Sequence, residues 1–179
     1  MHKVIGILII LIFVVAAGGC ASVDVNKRNE EIKKYKNVTV EKYEKPTALE
    51  KTENTVIEKI NVPTSKTIDG TIEAVVIKPV IVEEGRKYPV LYLLHGIGDD
   101  GDDWLNKAGI VDIYGKWIER NKGKEFYIIA VDSGNNGKSW YTNWKGEKHR
   151  KYESYFIKEL MPYVAAHYPV ETAKDGNGI

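Results

Sequence analysis

The residues best placed to do chemistry in this chain are His95, Gly96, Ile97 and Gly98, which directly follow a short apolar run. Residues 89–94 are almost wholly apolar, which is typical of a strand buried on both faces of a sheet. In the turn that follows, the glycines leave room for an ester to approach the backbone, where Cβ atoms would obstruct it. Backbone N–H groups placed in this way can stabilise an oxygen that becomes negative during acyl transfer. An ordinary glycine turn after a strand is the alternative interpretation.

An aromatic pair, Trp140 and Tyr141, is the second candidate. It lies on the loop that follows the next apolar run, residues 126–131. Loops at the carboxyl ends of parallel strands line ligand sites, and aromatic rings offer an apolar platform for an acyl, feruloyl or sugar group. The residues alone leave open whether these rings contact a substrate or pack the loop onto the domain.

A nucleophile with its base is not evident, since the sequence contains no Gly-x-Ser-x-Gly. Ser133 and Ser139 lack the flanking glycines and the strand-turn-helix context of a nucleophile turn. We expect His95, at a strand end, to order the loop through hydrogen bonds and not to act as a base. His149 and His167 are expected to be surface or interfacial residues.

A metal site is not predicted. Asp99, Asp100, Asp102 and Asp103 lack the spacing of a calcium loop and have no glutamate at the bidentate position, so a solvated acidic turn is favoured. Trp104 is expected to anchor this loop in the core. Neither a zinc-type Cys/His cluster nor a dinucleotide-binding glycine pattern is present, so we expect no cofactor.

The elements that would position these residues alternate between strands and helices. Strands are predicted at 55–62, 71–80, 89–94 and 126–131, with another beginning at Ile179, and helices at 109–121 and 150–167. The first two strands, with Asp69-Gly70 between them, form a predicted hairpin. The later alternation predicts an α/β fold with a mostly parallel sheet and helices on both faces. Pro162 is expected to kink the last helix or to lie where a lost hydrogen bond is tolerated.

The first 20 residues predict a location outside the cytoplasm. An apolar run from Val4 to Ala17 follows a basic start, and it is shorter than the roughly 20 residues that span a bilayer. Gly-Gly-Cys20 follows directly after Ala17, which is typical of a bacterial lipoprotein signal in which the cysteine carries the acyl chains. Cys20 is the only cysteine in the sequence. An uncleaved signal anchor is the alternative. Residues 21–54, rich in Lys and Glu, predict a charged tether, and the formal net charge of +1 does not suggest a nucleic-acid partner.

From about Thr55 to the end, the chain resembles the N-terminal half of the putative esterase family of α/β-hydrolases. That family includes feruloyl and acetylxylan esterases, enterochelin esterases, S-formylglutathione hydrolases and the antigen 85 mycolyltransferases. The resemblance rests on several motifs in order: YPVLYLLHGIG with Asp103-Trp104, FYIIAVDSG, SWYTN and YESYFIKELMPYVAAHYPV.

This resemblance implies an α/β-hydrolase domain over residues 55–179 that stops before the strand carrying the nucleophile. It assigns the backbone N–H of Ile97 as one oxyanion donor, while the serine, the acid and the histidine of the triad would follow Ile179. The expected protein is a lipid-anchored, extracytoplasmic serine esterase of a bacterium that acts on small or polysaccharide-linked esters. The 179 residues by themselves are expected to be inactive. A non-catalytic, truncated surface lipoprotein that binds a ligand or partner is the alternative.

Overall fold

A computed structural model describes residues 47–63, 67–69, 71–134, 137–146 and 149–172. Within these ranges five strands form one sheet in the order β1-β2-β3-β5-β4. Their bounds are Thr47–Lys51 (β1), Thr55–Pro63 (β2), Thr71–Pro79 (β3), Val90–Leu94 (β4) and Tyr127–Val131 (β5). The predictions made for the signal segment with Cys20, for residues 21–46 of the tether and for a strand beginning at Ile179 lie outside the described residues.

The N-terminal part of the sheet is antiparallel. β2 and β3 pair from Thr55 opposite Pro79 to Pro63 opposite Thr71, as the hairpin pattern predicted. β1 adds a further antiparallel strand at the edge, beside β2. This strand lies inside residues 21–54, for which the sequence predicted a tether, and the described sheet begins at Thr47.

The sheet is mixed and not mostly parallel in the part that the structure describes, which corrects the prediction. β4 and β5 are parallel, with Val90 opposite Tyr127 and Leu94 opposite Val131. β5 also pairs antiparallel with β3 on its other side. The alternation of strands and helices therefore predicted the parallel pairing of β4 with β5 correctly. It did not predict that β5 pairs antiparallel with β3 of the hairpin.

Apolar residues on the two faces of the sheet form two cores. In β5, Tyr127, Ile129 and Val131 face one core, whereas Ile128 and Ala130 face the other, as strand alternation requires. All five residues are buried, which explains the continuous apolar run. β4 lies at the edge of the described sheet, and only its first residue is buried, so the prediction that it is buried on both faces holds less well.

Helices cover both faces. The bounds are Asp103–Asn106 (α1), Ile110–Arg120 (α2), Tyr152–Tyr155 (α3), a π-helical turn at Phe156–Leu160 and Met161–His167 (α4). On one face, Trp104 of α1 packs with α2 against the core, as expected for a loop anchor. On the other face, the buried residues of the last helix step from Tyr155 to Leu160, five positions apart, which matches the extra residue of a π turn. Pro162 comes just after this π turn, inside a helical run that is continuous from Tyr152 to His167.

Strands β4 and β5 run in the same direction, so their carboxyl ends lie at the same edge of the sheet. The loops after both strands meet there, which makes this edge the place to look for a site. Within the described ranges, no helix has the length and apolar character needed to cross a membrane.

Candidate active site

The turn after β4 contains the backbone N–H of Ile97. The N–H of Asp99 donates to the carbonyl oxygen of Gly96 at 3.3 Å, and Gly98 has φ of +82°, which is the pattern of a type II β-turn with Ile97 at its second position. Ile97 as a whole residue is 64% exposed. Its backbone N–H has no hydrogen-bond partner among the described residues. The group to which the resemblance assigned the oxyanion role is therefore available to a ligand.

The two glycines of this turn have different requirements. Gly98 needs its positive φ, which side chains rarely adopt. A Cβ atom at Gly96 would meet only the Oδ2 atom of Asp99, at an ordinary 3.6 Å. Packing within the described chain therefore does not require glycine at position 96.

The imidazole of His95 is buried and fully engaged. Its Nε2 accepts a hydrogen bond from the backbone N–H of Ser133 at 3.0 Å, and its Nδ1 lies 2.7 Å from the carbonyl oxygen of Gly96. A neutral ring with its proton on Nδ1 satisfies both contacts. The Oδ1 atom of Asp132 lies 3.9 Å from Nε2, beyond hydrogen-bond distance, and accepts instead from the N–H of Gly134 at 2.8 Å. The ring thus orders the loop, as the sequence predicted, and has no free nitrogen with which to act as a base.

Tyr141 joins the ends of the two parallel strands. Its hydroxyl accepts a hydrogen bond from the backbone N–H of His95 at 3.1 Å and donates one to the carbonyl oxygen of Val131 at 3.3 Å. Burial raises the pKa of this hydroxyl well above its usual value, so it stays protonated. The sequence offered Tyr141 as a substrate contact or a packing residue, and the structure places its hydroxyl in hydrogen bonds to the protein backbone.

Trp140 points the other way. It is 69% exposed, although its neighbour Tyr141 is inserted between the strand ends. Both residues have positive φ, 57° and 50°, a conformation that costs a non-glycine residue on the order of 1 kcal/mol. The loop therefore holds a strained backbone that directs one aromatic ring inward and leaves the other open to a ligand.

Gly137 supports the turn from beneath, and the sequence did not reveal it. Its carbonyl oxygen accepts a hydrogen bond from the N–H of Gly98 at 3.1 Å. A Cβ atom at Gly137 would lie 2.5 Å from the carbonyl oxygen of Asp99 and 2.9 Å from the N and Cα atoms of Gly98, so no side chain fits. A glycine in a polar loop looks like any turn glycine in sequence, and only the tertiary contact distinguishes it.

The serines and remaining histidines hold structural positions. Ser139 is fully buried, and its Oγ accepts a hydrogen bond from the N–H of Tyr141 at 3.1 Å. The Oγ of Ser133, also buried, donates to the carbonyl oxygen of Gly134. His149 has a half-exposed side chain that contacts Asp69, and His167 stacks on Tyr163 at a centroid distance of 4.0 Å. The sequence-based rejection of Ser133 and Ser139 as nucleophiles is consistent with these contacts.

The acidic turn is neutralised by lysines. Lys107 contacts Asp99 at 2.8 Å and Asp103 at 2.9 Å, while Lys59 contacts Asp102 at 3.0 Å. The hydrogen bond from Lys107 is the main cause that lowers the pKa of Asp103. Within the described ranges, no three His, Cys, Asp or Glu side chains are arranged to hold a metal ion.

These features define the class of protein. A mixed sheet covered by helices, with an open backbone N–H at the carboxyl end of a strand, is the framework of an α/β-hydrolase-like esterase. Residues 65–179 match the family model described as "Putative esterase". The chain therefore belongs to this family, which confirms the resemblance seen in the sequence.

Individual relatives agree. An esterase of Mycobacterium tuberculosis, found in two strains, is 35% identical in an alignment 103 residues long that covers 53% of this chain and 20% of the relative. The ferulic acid esterase of Anaeromyces mucronatus, solved in complex with ferulic acid, is 26% identical with a TM-score of 0.53, over 70% of this chain and 48% of that one. Another ferulic acid esterase, 24% identical, has a TM-score of 0.55 over 65% of this chain and 46% of that one and shows the fold alone. The chain thus spans about a fifth of the curated relatives and less than half of the solved esterases.

Proposed function

We propose that this protein hydrolyses carboxylic esters through an acyl-enzyme on a serine, and that the described chain contributes one half of the oxyanion site. The observation that carries the proposal is the backbone N–H of Ile97, which has no hydrogen-bond partner among the described residues and lies in a turn held by glycines at the end of β4. When a serine oxygen attacks the ester carbonyl, the carbonyl oxygen becomes negative and accepts this N–H. Collapse of the intermediate releases the alcohol, and water then cleaves the acyl-enzyme to the free acid.

The serine, its histidine and their acidic partner are proposed to come from a part of the protein beyond these 179 residues. Two observations support this. His95 has both ring nitrogens engaged, and the sequence has no Gly-x-Ser-x-Gly. The chain also corresponds to less than half of each of the two ferulic acid esterases described above.

An aromatic acyl ester, such as a feruloyl ester, is the proposed substrate class. The Anaeromyces relative was solved with ferulic acid, and Trp140 offers an exposed indole on the loop beside the Ile97 turn. A stacked aromatic pair adds roughly 0.5–1.5 kcal/mol beyond the area buried. The lipoprotein pattern ending at Cys20 supports a location outside the cytoplasm, on a membrane surface.

The sharpest test removes the Ile97 N–H without removing the turn. Proline is favoured at the second position of a type II turn and has no N–H, so Ile97→Pro deletes the donor, and the matched control Ile97→Ala deletes only the exposed side chain. In the full-length gene product, assayed with p-nitrophenyl acetate and methyl ferulate, we expect Ile97→Pro to lower kcat by about 10²–10³ with a nearly unchanged KM. The control should keep wild-type kcat.

Two results would contradict the proposal. Equal activity of Ile97→Pro and Ile97→Ala, with unchanged melting temperatures, would remove the oxyanion role. A full-length gene product that neither turns over an ester nor reacts with a fluorophosphonate serine probe would favour the non-catalytic surface lipoprotein instead.

A further inference from the structure

We infer that the segment 137–141 positions the oxyanion turn, with Tyr141 and Gly137 as positioning residues for the Ile97 N–H. This inference rests on the proposed function, since it assigns roles within the same site. Neither residue needs to touch the substrate. Their contacts are to the backbone on both sides of Ile97.

The first contact fixes the beginning of the turn. The hydroxyl of Tyr141 binds the N–H of His95 and the carbonyl oxygen of Val131, and therefore ties the last residue of β5 to the residue that follows β4. The ring also packs edge-on against the imidazole of His95 at a centroid distance of 5.5 Å. Because His95 leads directly into the turn, its position sets where the Ile97 N–H points.

The second contact fixes the end of the turn. Gly137 accepts the N–H of Gly98 and lies against the backbone of Gly98 and Asp99, with no space for a Cβ atom. The turn is thus held before and after Ile97, whose own N–H has no partner in the part of the chain that the structure describes. An oxyanion donor contributes most when it is fixed in advance, because its reorientation then costs nothing in the transition state.

The strain in this segment is consistent with the assignment. Trp140 and Tyr141 both occupy the left-handed region, which a loop without a geometric task would avoid. The N–H of Tyr141 is itself held by the buried Oγ of Ser139. Several fixed contacts therefore maintain the conformation that brings the Tyr141 hydroxyl to the strand ends.

The experiment uses two matched pairs of variants. Tyr141→Phe removes the hydroxyl at the turn, and Tyr168→Phe removes one at the opposite end of the sheet, where it binds Glu58 at 3.0 Å. Gly137→Ala adds a methyl group against the turn, and Gly146→Ala adds one at a similar φ of +80° with no atom within 4 Å. Each control thus carries the general cost of its substitution without the contact to the turn.

Amide hydrogen exchange of residues 95–99 in the full-length gene product is the first readout, because it does not depend on activity. We expect exchange of the His95 amide to accelerate at least tenfold in Tyr141→Phe, and that of the Gly98 amide at least tenfold in Gly137→Ala. Steady-state kinetics of the full-length gene product are the second readout. There we expect kcat to fall at least tenfold in both variants with KM within twofold, and both controls to keep wild-type values.

Unchanged exchange in residues 95–99, or a loss of kcat no larger than in the controls, would overturn the inference. A parallel loss of kcat and melting temperature in all four variants would assign the residues to general stability and overturn it as well. If the wild-type gene product hydrolyses no ester, the proposed function fails, and the exchange data alone decide whether the segment holds the turn.

Discussion

The imidazole of His95 accepts a hydrogen bond from the backbone N–H of Ser133 at 3.0 Å, across two loops that are far apart in sequence. We expect His95→Ala to leave this buried N–H without a partner and to lower the free energy of unfolding by roughly 2 kcal/mol. Urea denaturation measures the change. The matched control is His149→Ala at a half-exposed histidine, which should change stability by less than about 0.5 kcal/mol. Wild-type stability of His95→Ala would contradict this prediction.

Substitution by alanine is expected to have opposite effects on stability at Gly101 and at Gly115. A Cβ atom at the buried Gly101 would lie 3.0 Å from the carbonyl oxygen of Ala130, so Gly101→Ala should destabilise the fold by about 1–3 kcal/mol. Gly115 lies inside α2 and has open space, so Gly115→Ala should stabilise it by roughly 0.5–1 kcal/mol. Thermal melts of both variants check the signs, and a shift in the same direction for both would contradict this account.

Because Trp140 has a strained backbone and an exposed side chain, substitutions there can distinguish an effect on stability from an effect on binding. Glycine relieves the left-handed strain, so Trp140→Gly should raise the free energy of unfolding by about 1 kcal/mol, whereas Trp140→Ala should not. If the indole binds the acyl group, both variants should raise KM for methyl ferulate by about fivefold. KM for p-nitrophenyl acetate should change little. An unchanged KM for the ferulate ester would show that the indole does not bind the substrate.

The carboxylate of Glu125 is expected to account for part of the stability that the fold loses at low pH. Burial raises the pKa of its carboxyl, but hydrogen bonds from the Gly123 N–H and its own N–H and the ion pair with Arg86 at 2.9 Å together lower it below its ordinary value. Since the folded-state pKa lies below the unfolded one, the stabilisation is present at neutral pH and is lost as pH falls through the folded value. Glu125→Gln should therefore cost about 1 kcal/mol at pH 7 and less at pH 3.

Urea midpoints at both pH values test this prediction, with Glu84→Gln at an exposed glutamate as the control. A difference between Glu125→Gln and wild type that stays constant over the pH range would contradict it.

Acylation of Cys20 is the predicted means by which the protein is attached to the membrane. If Cys20 carries acyl chains, the wild-type gene product expressed in a bacterium should incorporate labelled palmitate and sediment with membranes, while Cys20→Ser should do neither. Ala21→Ser changes the adjacent residue without removing the thiol and is the control. Membrane association of Cys20→Ser without label would instead support an uncleaved signal anchor.

The sequence predicted the elements whose pattern arises from their own burial. β5 and α2 were placed within one residue of their observed bounds, because a strand buried on both faces and an amphipathic helix each impose a local periodicity. β1 was missed, since a polar edge strand is specified by backbone pairing with β2 and not by its side chains. The antiparallel pairing of β3 with β5 could not be predicted from the residue pattern of either strand. It depends on which strands become neighbours in the folded sheet.

For the candidate site, the sequence indicated the turn but not its supports. His95, Gly96 and Gly98 follow an apolar strand in a recognisable order, and their neighbours in sequence already suggest an open backbone. Gly137 and the hydroxyl of Tyr141 act across about 40 residues. Such contacts leave no periodic signal, so only the folded arrangement distinguishes a supporting glycine or tyrosine from an ordinary loop residue.

The contacts that bind the turn after β4 to the segment after β5 also limit how this scaffold can be recombined. A chimera that exchanges residues 133–141 with those of another esterase while keeping residues 95–99 would pair a tyrosine hydroxyl, a glycine carbonyl and a serine N–H with partners they did not evolve beside. The two loops, although separated by two helices and a strand, are therefore joined into one structural unit. New substrate loops should be grafted outside it, or both segments should be transferred together.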